Sequence, residues 1–202
     1  FNLGVVPDDR REFDSEEMWN IEAGIKSSWA ADRLHLNASV FYAQRKDQQV
    51  RTSIQIDPGD PTSFVFFTDN AAEGETLGLE ADLCWLVNDS WDLYATLGLL
   101  DATFDEFVTP QVDLTVRQQA HAPETSLALG GRYSHSSGFF ARVDYSARSD
   151  FYFDVSHDQK SKPYELMNVR VGFESGNWAV QLWARNLFDE DYTVRGFYFG
   201  NE

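Results

Sequence analysis

The chain has 202 residues, 43% of them hydrophobic and 15% aromatic, which is enough apolar material to fold, and its apolar runs are far shorter than the ~18 residues a membrane-crossing helix needs. A formal net charge of −17 excludes nucleic acid as a natural partner, because phosphate binding rests on Lys and Arg. The one cysteine, Cys84, permits neither an internal disulfide nor a cysteine-based metal site. The opening Phe1-Asn2-Leu3-Gly4 has no basic stretch followed by an apolar one, so either a signal has been removed or the natural N-terminus lies upstream.

Apolar residues recur at every second position in about eight segments, the period of a pleated strand. Trp19, Ile21, Ala23, Ile25 and Trp29 share one face of the first, and Leu34, Leu36, Ala38, Val40 and Tyr42 one face of the second. Leu77 to Trp85 and Trp91 to Leu99 repeat the pattern with apolar residues at odd positions. A fifth segment near Thr125 to Tyr133 is less regular. The sixth sets Phe139, Ala141, Val143 and Tyr145 against Arg142, Asp144 and Arg148. The seventh sets Met167, Val169, Val171 and Phe173 against Asn168, Arg170 and Glu174, and the eighth sets Trp178, Val180, Leu182 and Ala184 against Gln181, Trp183 and Arg185. Alternation alone fits a soluble sandwich as well as a barrel.

The connections discriminate, because they alternate between short and long. Ala30 to Asp32, Asn88 to Ser90, Ser134 to Ser137 and Ser175 to Asn177 read as tight turns; polar loops are expected at roughly Arg45 to Glu75, Asp105 to Glu124 and Asp150 to Pro163. Short turns at one rim and long loops at the other are the arrangement of an outer-membrane barrel, with the loops outside the cell. Trp29, Trp85, Trp91 and Trp178 fall beside the short turns on the apolar face, the placement of an interfacial aromatic girdle, with Trp19, Tyr42 and Tyr145 toward the other ends.

The hairpin from Trp19 to Gln48, the strand start Gly78-Leu79-Glu80, the Ala122-Pro123 pair and above all Asn186-Leu187-Phe188-Asp189 followed by Tyr192 resemble the C-terminal barrel strands of TonB-dependent outer-membrane receptors. The resemblance implies an all-β fold of antiparallel up-and-down transmembrane strands, about eight of a 22-stranded barrel. It implies that residues 1–202 are a partial C-terminal barrel domain, without the plug domain and without the final strand. It further implies an active-transport receptor for a scarce nutrient, a ferric siderophore foremost. Its partners would be outer-membrane lipid and lipopolysaccharide, the iron chelate, and a TonB-type energy complex acting through the plug, in the outer membrane of a Gram-negative bacterium.

Candidate site residues follow from the pattern. Arg142, Asp144, Arg148, Arg170, Glu174 and Arg185 fall on the polar face of neighbouring strands and are expected to form cross-strand ion pairs in the lumen. Arg51, His121 and His157 are candidate ligand contacts on loops. Asp57-Pro58-Gly59-Asp60 reads as a turn. No Gly-x-Ser-x-Gly, His-Glu-x-x-His or glycine-rich phosphate loop is present, so no enzyme, metal centre or cofactor is expected. The rival readings are a self-contained small barrel serving as anchor or adhesin, a barrel enzyme, and a soluble carbohydrate-binding sandwich.

Overall fold

The computed structural model describes residues 6, 11–60, 63–108, 113–155 and 157–196, with the side chains of 51–54, 64 and 71 outside that description. Eight antiparallel strands form one sheet in chain order: β1 Glu17–Trp29, β2 Leu34–Gln55, β3 Phe64–Asn88, β4 Trp91–Glu106, β5 Thr125–Ser134, β6 Phe139–Arg148, β7 Tyr164–Ser175 and β8 Trp178–Ala184. Each strand pairs with its sequence neighbour, the up-and-down meander that the short connections dictate. Among the described residues β1 and β8 are each paired on one side only, so the sheet is open.

All four expected tight turns are present, and local chemistry explains them. Ala30, Ala31 and Asp32 all take positive φ. The Asn88 side chain accepts from the backbone N–H of Ser90 at 2.9 Å and of Trp91 at 3.0 Å, closing the β3–β4 turn. Gly138 and Gly176 supply positive φ in the other two; a Cβ on Gly138 would lie 1.9 Å from the Glu174 carbonyl oxygen.

The expected loop from Arg45 to Glu75 is a correction. β2 runs on to Gln55 and β3 begins at Phe64, with Gln49 to Gln55 in register against Asn70 to Phe64, so the true connection is residues 56–63. The Asp57 to Asp60 segment is the expected turn, closed by Gly59 N–H donating to Asp57 Oδ1 at 2.8 Å. The extension carries no alternating apolar face because neither of its faces meets the apolar band. Irregularities at Arg45/Gln48 and Gln48/Gln49 also shift its phase relative to the strand below. From Trp29 to Trp19 or from Trp85 to Leu77 is about the 9–11 residues a membrane-crossing strand uses, so the hairpin rises roughly a dozen residues, on the order of 40 Å, above that band.

The sheet's two faces differ as the period-two reading requires. Ile21, Ile25, Val40, Leu77, Leu99, Leu129, Val143, Val171, Val180 and Leu182 all lie on one face and are exposed, Leu182 at 74%. The opposite face is concave: Lys26, Asn37, Asp82, Thr96, Ser126, Ser146 and Arg148, drawn from β1 through β6, line one hollow. A soluble sandwich buries its apolar face, whereas here the apolar face is the convex exterior and the polar face the interior.

The buried core sits at the loop end. Val50 and Ala72 of the β2–β3 hairpin, Phe104 of β4, and Phe107 and Leu114 of the β4–β5 connection form one cluster, against which Val155 of the β6–β7 connection packs. Phe104 and Phe107 meet edge to face with ring centroids 4.9 Å apart and are each 2% exposed. The loops are therefore a folded cap.

Candidate functional site

Two regions carry the polar chemistry, the inner wall and the cap. On the inner wall Tyr94 of β4 lies flat across Gly130 of β5, where a Cβ would come within 2.1 Å of the ring, and donates its hydroxyl to Asp144 of β6 at 2.6 Å. Gly130 leaves room for this ring to cross β5 and reach β6. Asp144 is also gripped by Arg142, whose Nε and Nη2 donate at 2.8–3.0 Å, and the Arg142 guanidinium stands 5.6 Å from the Tyr94 ring centre. Two further pairs repeat the device: Phe41 covers Gly78, and Phe140 covers Gly172.

The expected lumen network is only partly present. Arg142 and Asp144 are joined, yet along one strand rather than across strands. Glu174 meets Arg132, a residue the sequence reading passed over, at 3.4 Å, and Arg132 also lies 4.4 Å over the Phe140 ring. Arg185 stacks 5.1 Å from the Trp183 ring centre. Arg148 and Arg170 have no hydrogen-bond or ion-pair partner among the described residues. The register explains the shortfall: Arg132 faces Arg142 and Arg142 faces Arg170, like charge against like, while Arg148 faces the neutral Ser126 and Tyr164.

In the cap, Arg117 ties the β4–β5 connection to the β6–β7 connection. Its guanidinium donates to the carbonyls of Asp154, Val155 and His157, pairs with Asp158 at 3.2 Å and lies 4.0 Å over Tyr152. Lys160 covers Tyr152 at 4.2 Å and bonds Asp150 at 3.0 Å, which raises its pKa above the ordinary lysine value. Asp113 opens the turn preceding Arg117; hydrogen bonds from the Thr115 side chain and backbone hold its carboxyl below the ordinary aspartate range.

Val116, within that turn, has φ +61° and is 81% exposed, a left-handed conformation that a β-branched residue rarely adopts. Its backbone N–H is fixed by the Phe104 carbonyl at 2.8 Å, which holds the strain in place. Val116→Gly is therefore expected to stabilise the cap by about 1 kcal/mol, read as slower hydrogen exchange of residues 113–118. Faster exchange would show that the valine is not strained.

The candidate ligand residues divide. His121 and His157 do lie on the cap's connections, but the His121 ring packs 5.6 Å from Phe151 and His157 Nδ1 accepts from the Gln159 N–H at 3.2 Å. Arg51 is corrected: it lies within β2, opposite Thr68, because the hairpin extends past it, and its side chain lies outside the described residues. No group of three or more potential metal-ligating side chains converges among the described residues.

The Asn186 to Tyr192 motif is a built turn. Asn186, at φ +47°, donates its amide to the Glu190 carbonyl and accepts the Glu190 N–H, both at 2.9 Å, while its own N–H reaches Asn168 Oδ1 at 3.0 Å. Asp189 also takes positive φ, and Tyr192 packs on Tyr164 with centroids 4.9 Å apart. Leu187 and Phe188 are exposed, at 44% and 72%. Asn186→Ala removes both clamps on Glu190 and is expected to cost about 1–2 kcal/mol, measured as a lower urea midpoint of the refolded barrel. An unmoved midpoint would show that the turn holds itself.

Trp29, Trp85, Trp91 and Trp178 all lie on the convex face near the turn rim, 40–79% exposed. Trp29 and Trp85 flank Leu34 from either side, and Trp91 packs 5.1 Å from Tyr133. At the opposite end Trp19 meets Tyr42 at 6.4 Å.

Residues 3–187 match the family profile described as TonB dependent receptor-like, beta-barrel. The chain belongs to this family. Solved structures show the same fold. The siderophore receptor PiuA from Acinetobacter baumannii is 20% identical with a TM-score of 0.74 over 99% of this chain and 28% of its own. The ferric yersiniabactin uptake receptor FyuA from Yersinia pestis is 17% identical, TM-score 0.72, over 92% of this chain and 27% of its own. The pyoverdine outer membrane receptor FpvA from Pseudomonas aeruginosa PAO1 is 16% identical, TM-score 0.66, over 92% and 27%. This receptor-barrel chain thus spans about a quarter of the length of the solved chains it matches.

Arg117, Arg132, Tyr94 and Phe104 are the positions that sequence reasoning missed. The Gly130-Gly131 pair inside a strand was the available cue for Tyr94, since an interior glycine marks a close approach. Phe104 and Phe107, two aromatics in an acidic stretch, were the cue for the cap.

Proposed function

We propose that this chain is the C-terminal part of the wall of a 22-stranded outer-membrane receptor that imports a scarce nutrient, a ferric siderophore foremost, with energy from a TonB-type complex acting through a plug domain. The observation that carries the reading is the inverted sheet, with its apolar convex face, about one bilayer tall, bounded by aromatics at both rims and its polar concave face turned inward. Family membership supports receptor rather than enzyme, and the siderophore, ferric yersiniabactin and pyoverdine receptors among the solved relatives support iron-chelate cargo.

In this reading the folded cap faces outward and captures a dilute chelate on a preformed surface, which reduces the ordering cost of binding. The convex face contacts lipid and lipopolysaccharide, and the final strand pairs with the open edge of β8. That open sheet argues against a self-contained small barrel, whose first and last strands would meet.

The test is uptake of radiolabelled iron supplied as a panel of siderophores, in cells with and without the gene and with and without the energy complex. Loss of uptake for one chelate in both deletions is the expected result. Uptake unchanged across the panel would overturn iron as cargo, and uptake indifferent to the energy complex would overturn active transport.

A further inference from the structure

Among the described residues eight that are not glycine take positive φ, and seven of them are Ala, Asp, Asn or His, none of which is β-branched. Val116 is the exception. Two hydrogen-bond patterns meet at it, and each calls for glycine. It is the third residue of the turn of residues 114–117, closed by the Arg117 N–H on the Leu114 carbonyl at 2.9 Å, a position where positive φ is the habit of glycine. It is also the first residue of a bulge: its own N–H donates to the Phe104 carbonyl at 2.8 Å, while the Phe104 N–H donates to the Arg117 carbonyl at 3.0 Å. A left-handed residue at that place in a bulge is ordinarily glycine.

The isopropyl group does nothing for the fold that glycine would not do better. Leu114, two residues before it, is 5% exposed in the cap core, whereas Val116 is 81% exposed. Nor does Val116 meet lipid: β4 pairs with β5 only as far as Leu99, and Phe104, which holds Val116, stands five residues further on, roughly 17 Å higher. Two of the cap's cations are turned to internal partners, Arg117 to the carbonyls of residues 154, 155 and 157 and to Asp158, and Lys160 to Asp150. The turn therefore offers outward a rigidly held apolar point.

We propose that Val116 is a cargo-contact residue, which meets an apolar face of the incoming chelate, a ring or a hydrocarbon arm, and not its charged groups. The inference rests on the reading of the chain as a receptor wall. Rigid presentation suits the task, because the three main-chain hydrogen bonds leave no loop to be ordered on contact. Backbone strain kept where the fold has no use for the side chain is the pattern of a functional contact.

The test uses the intact receptor in detergent and the iron-loaded siderophore that the uptake panel selects. Val116→Thr keeps the β-branch, and with it the strained backbone, and removes only apolar character. Val116→Gly relieves the strain and removes the side chain. Both are expected to weaken binding about tenfold, through faster dissociation at an unchanged association rate, while Val116→Ile binds as tightly as wild type. The glycine variant separates the readings, since a cap that it steadies would bind at least as well if the valine were merely structural. In a Cys84→Ser background, V116C is expected to react with a maleimide in the cargo-free receptor and to lose that reaction when the chelate saturates, while Asp89→Cys, in the β3–β4 turn, reacts in both states. Wild-type affinity of V116T and V116G, or labelling of V116C indifferent to bound chelate, would overturn the inference. So would V116C closed to the reagent without cargo while the Asp89→Cys control reacts, which assigns the valine to another segment of the intact receptor. A receptor that binds no siderophore of the panel overturns the cargo reading and this inference with it, a result distinct from a chelate that binds and leaves Val116 untouched.

Discussion

Replacing Gly130 by leucine lowers the stability of the barrel by about 2–4 kcal/mol, the largest effect expected of any single change on the inner wall. A Cβ there falls 2.1 Å from Tyr94 Cε1 and 2.7 Å from its hydroxyl oxygen, so the ring must leave the β5 backbone. When it leaves, Asp144 loses the 2.6 Å hydrogen bond from Tyr94, and Arg142 loses the ring beside its guanidinium. The comparator is Tyr94→Phe, which keeps the ring across Gly130 and removes only the hydroxyl; it is expected to cost about 1–2 kcal/mol. Urea unfolding of the intact receptor in detergent, followed by the loss of compact migration on unheated gels, measures both. A Gly130→Leu variant with the wild-type midpoint would show that the ring is not seated on the strand.

Phe104→Ala acts at the other end of the molecule and more strongly on local structure. Phe104 is 2% exposed among Val50, Ala72, Phe107 and Leu114, and truncating such an aromatic costs about 3–5 kcal/mol. The strands below share none of these contacts, so the cost falls on the cap: the barrel stays folded while residues 107–124 and 149–163 become open to protease. Limited proteolysis is expected to nick both connections in the variant and neither in the wild type. The proposed function adds weaker chelate binding with unchanged barrel assembly. Resistance equal to wild type would mean that the cap is held by something other than this cluster, and the Arg117 contacts would be the next place to look.

What the sequence disclosed and what it concealed follow from the physics of the two solvents. Within the apolar band one face of every strand is held to apolar residues, so Trp19 to Trp29 or Leu77 to Trp85 announce both strand and register. Above the band that constraint ends. Gln48 to Gln55 is fully paired with β3, yet neither its composition nor its phase reports the pairing, and a segment that is strand reads as loop. The tight turns were legible because Asn88, Gly138 and Gly176 are chemically required there.

The lumen residues were legible as a class but not as pairs. Arg142 and Asp144 stand two apart on one strand, as the sequence shows, but the partner of Glu174 depends on the register of three strands, and no local pattern contains it. The Asn186 motif was recognised by resemblance, and its physical role, an asparagine amide bridging four residues, emerged only with the backbone. Arg117 was hidden for the same reason: three of the groups it holds are backbone carbonyls, which carry no sequence signature.

The central claim is that the convex face meets lipid and the concave face does not, and depth-sensitive fluorescence tests it most directly. Single cysteines labelled with an environment-sensitive dye are placed at Val143, Val171 and Leu182 and at their neighbours Arg142, Arg170 and Gln181, in a Cys84→Ser background, and the intact receptor is reconstituted into vesicles of brominated lipid. Strong quenching and a blue-shifted emission at 143, 171 and 182, with neither at 142, 170 and 181, is the predicted result. Equal quenching at neighbouring positions, or quenching at the arginine positions instead, would contradict the barrel orientation and with it the receptor reading.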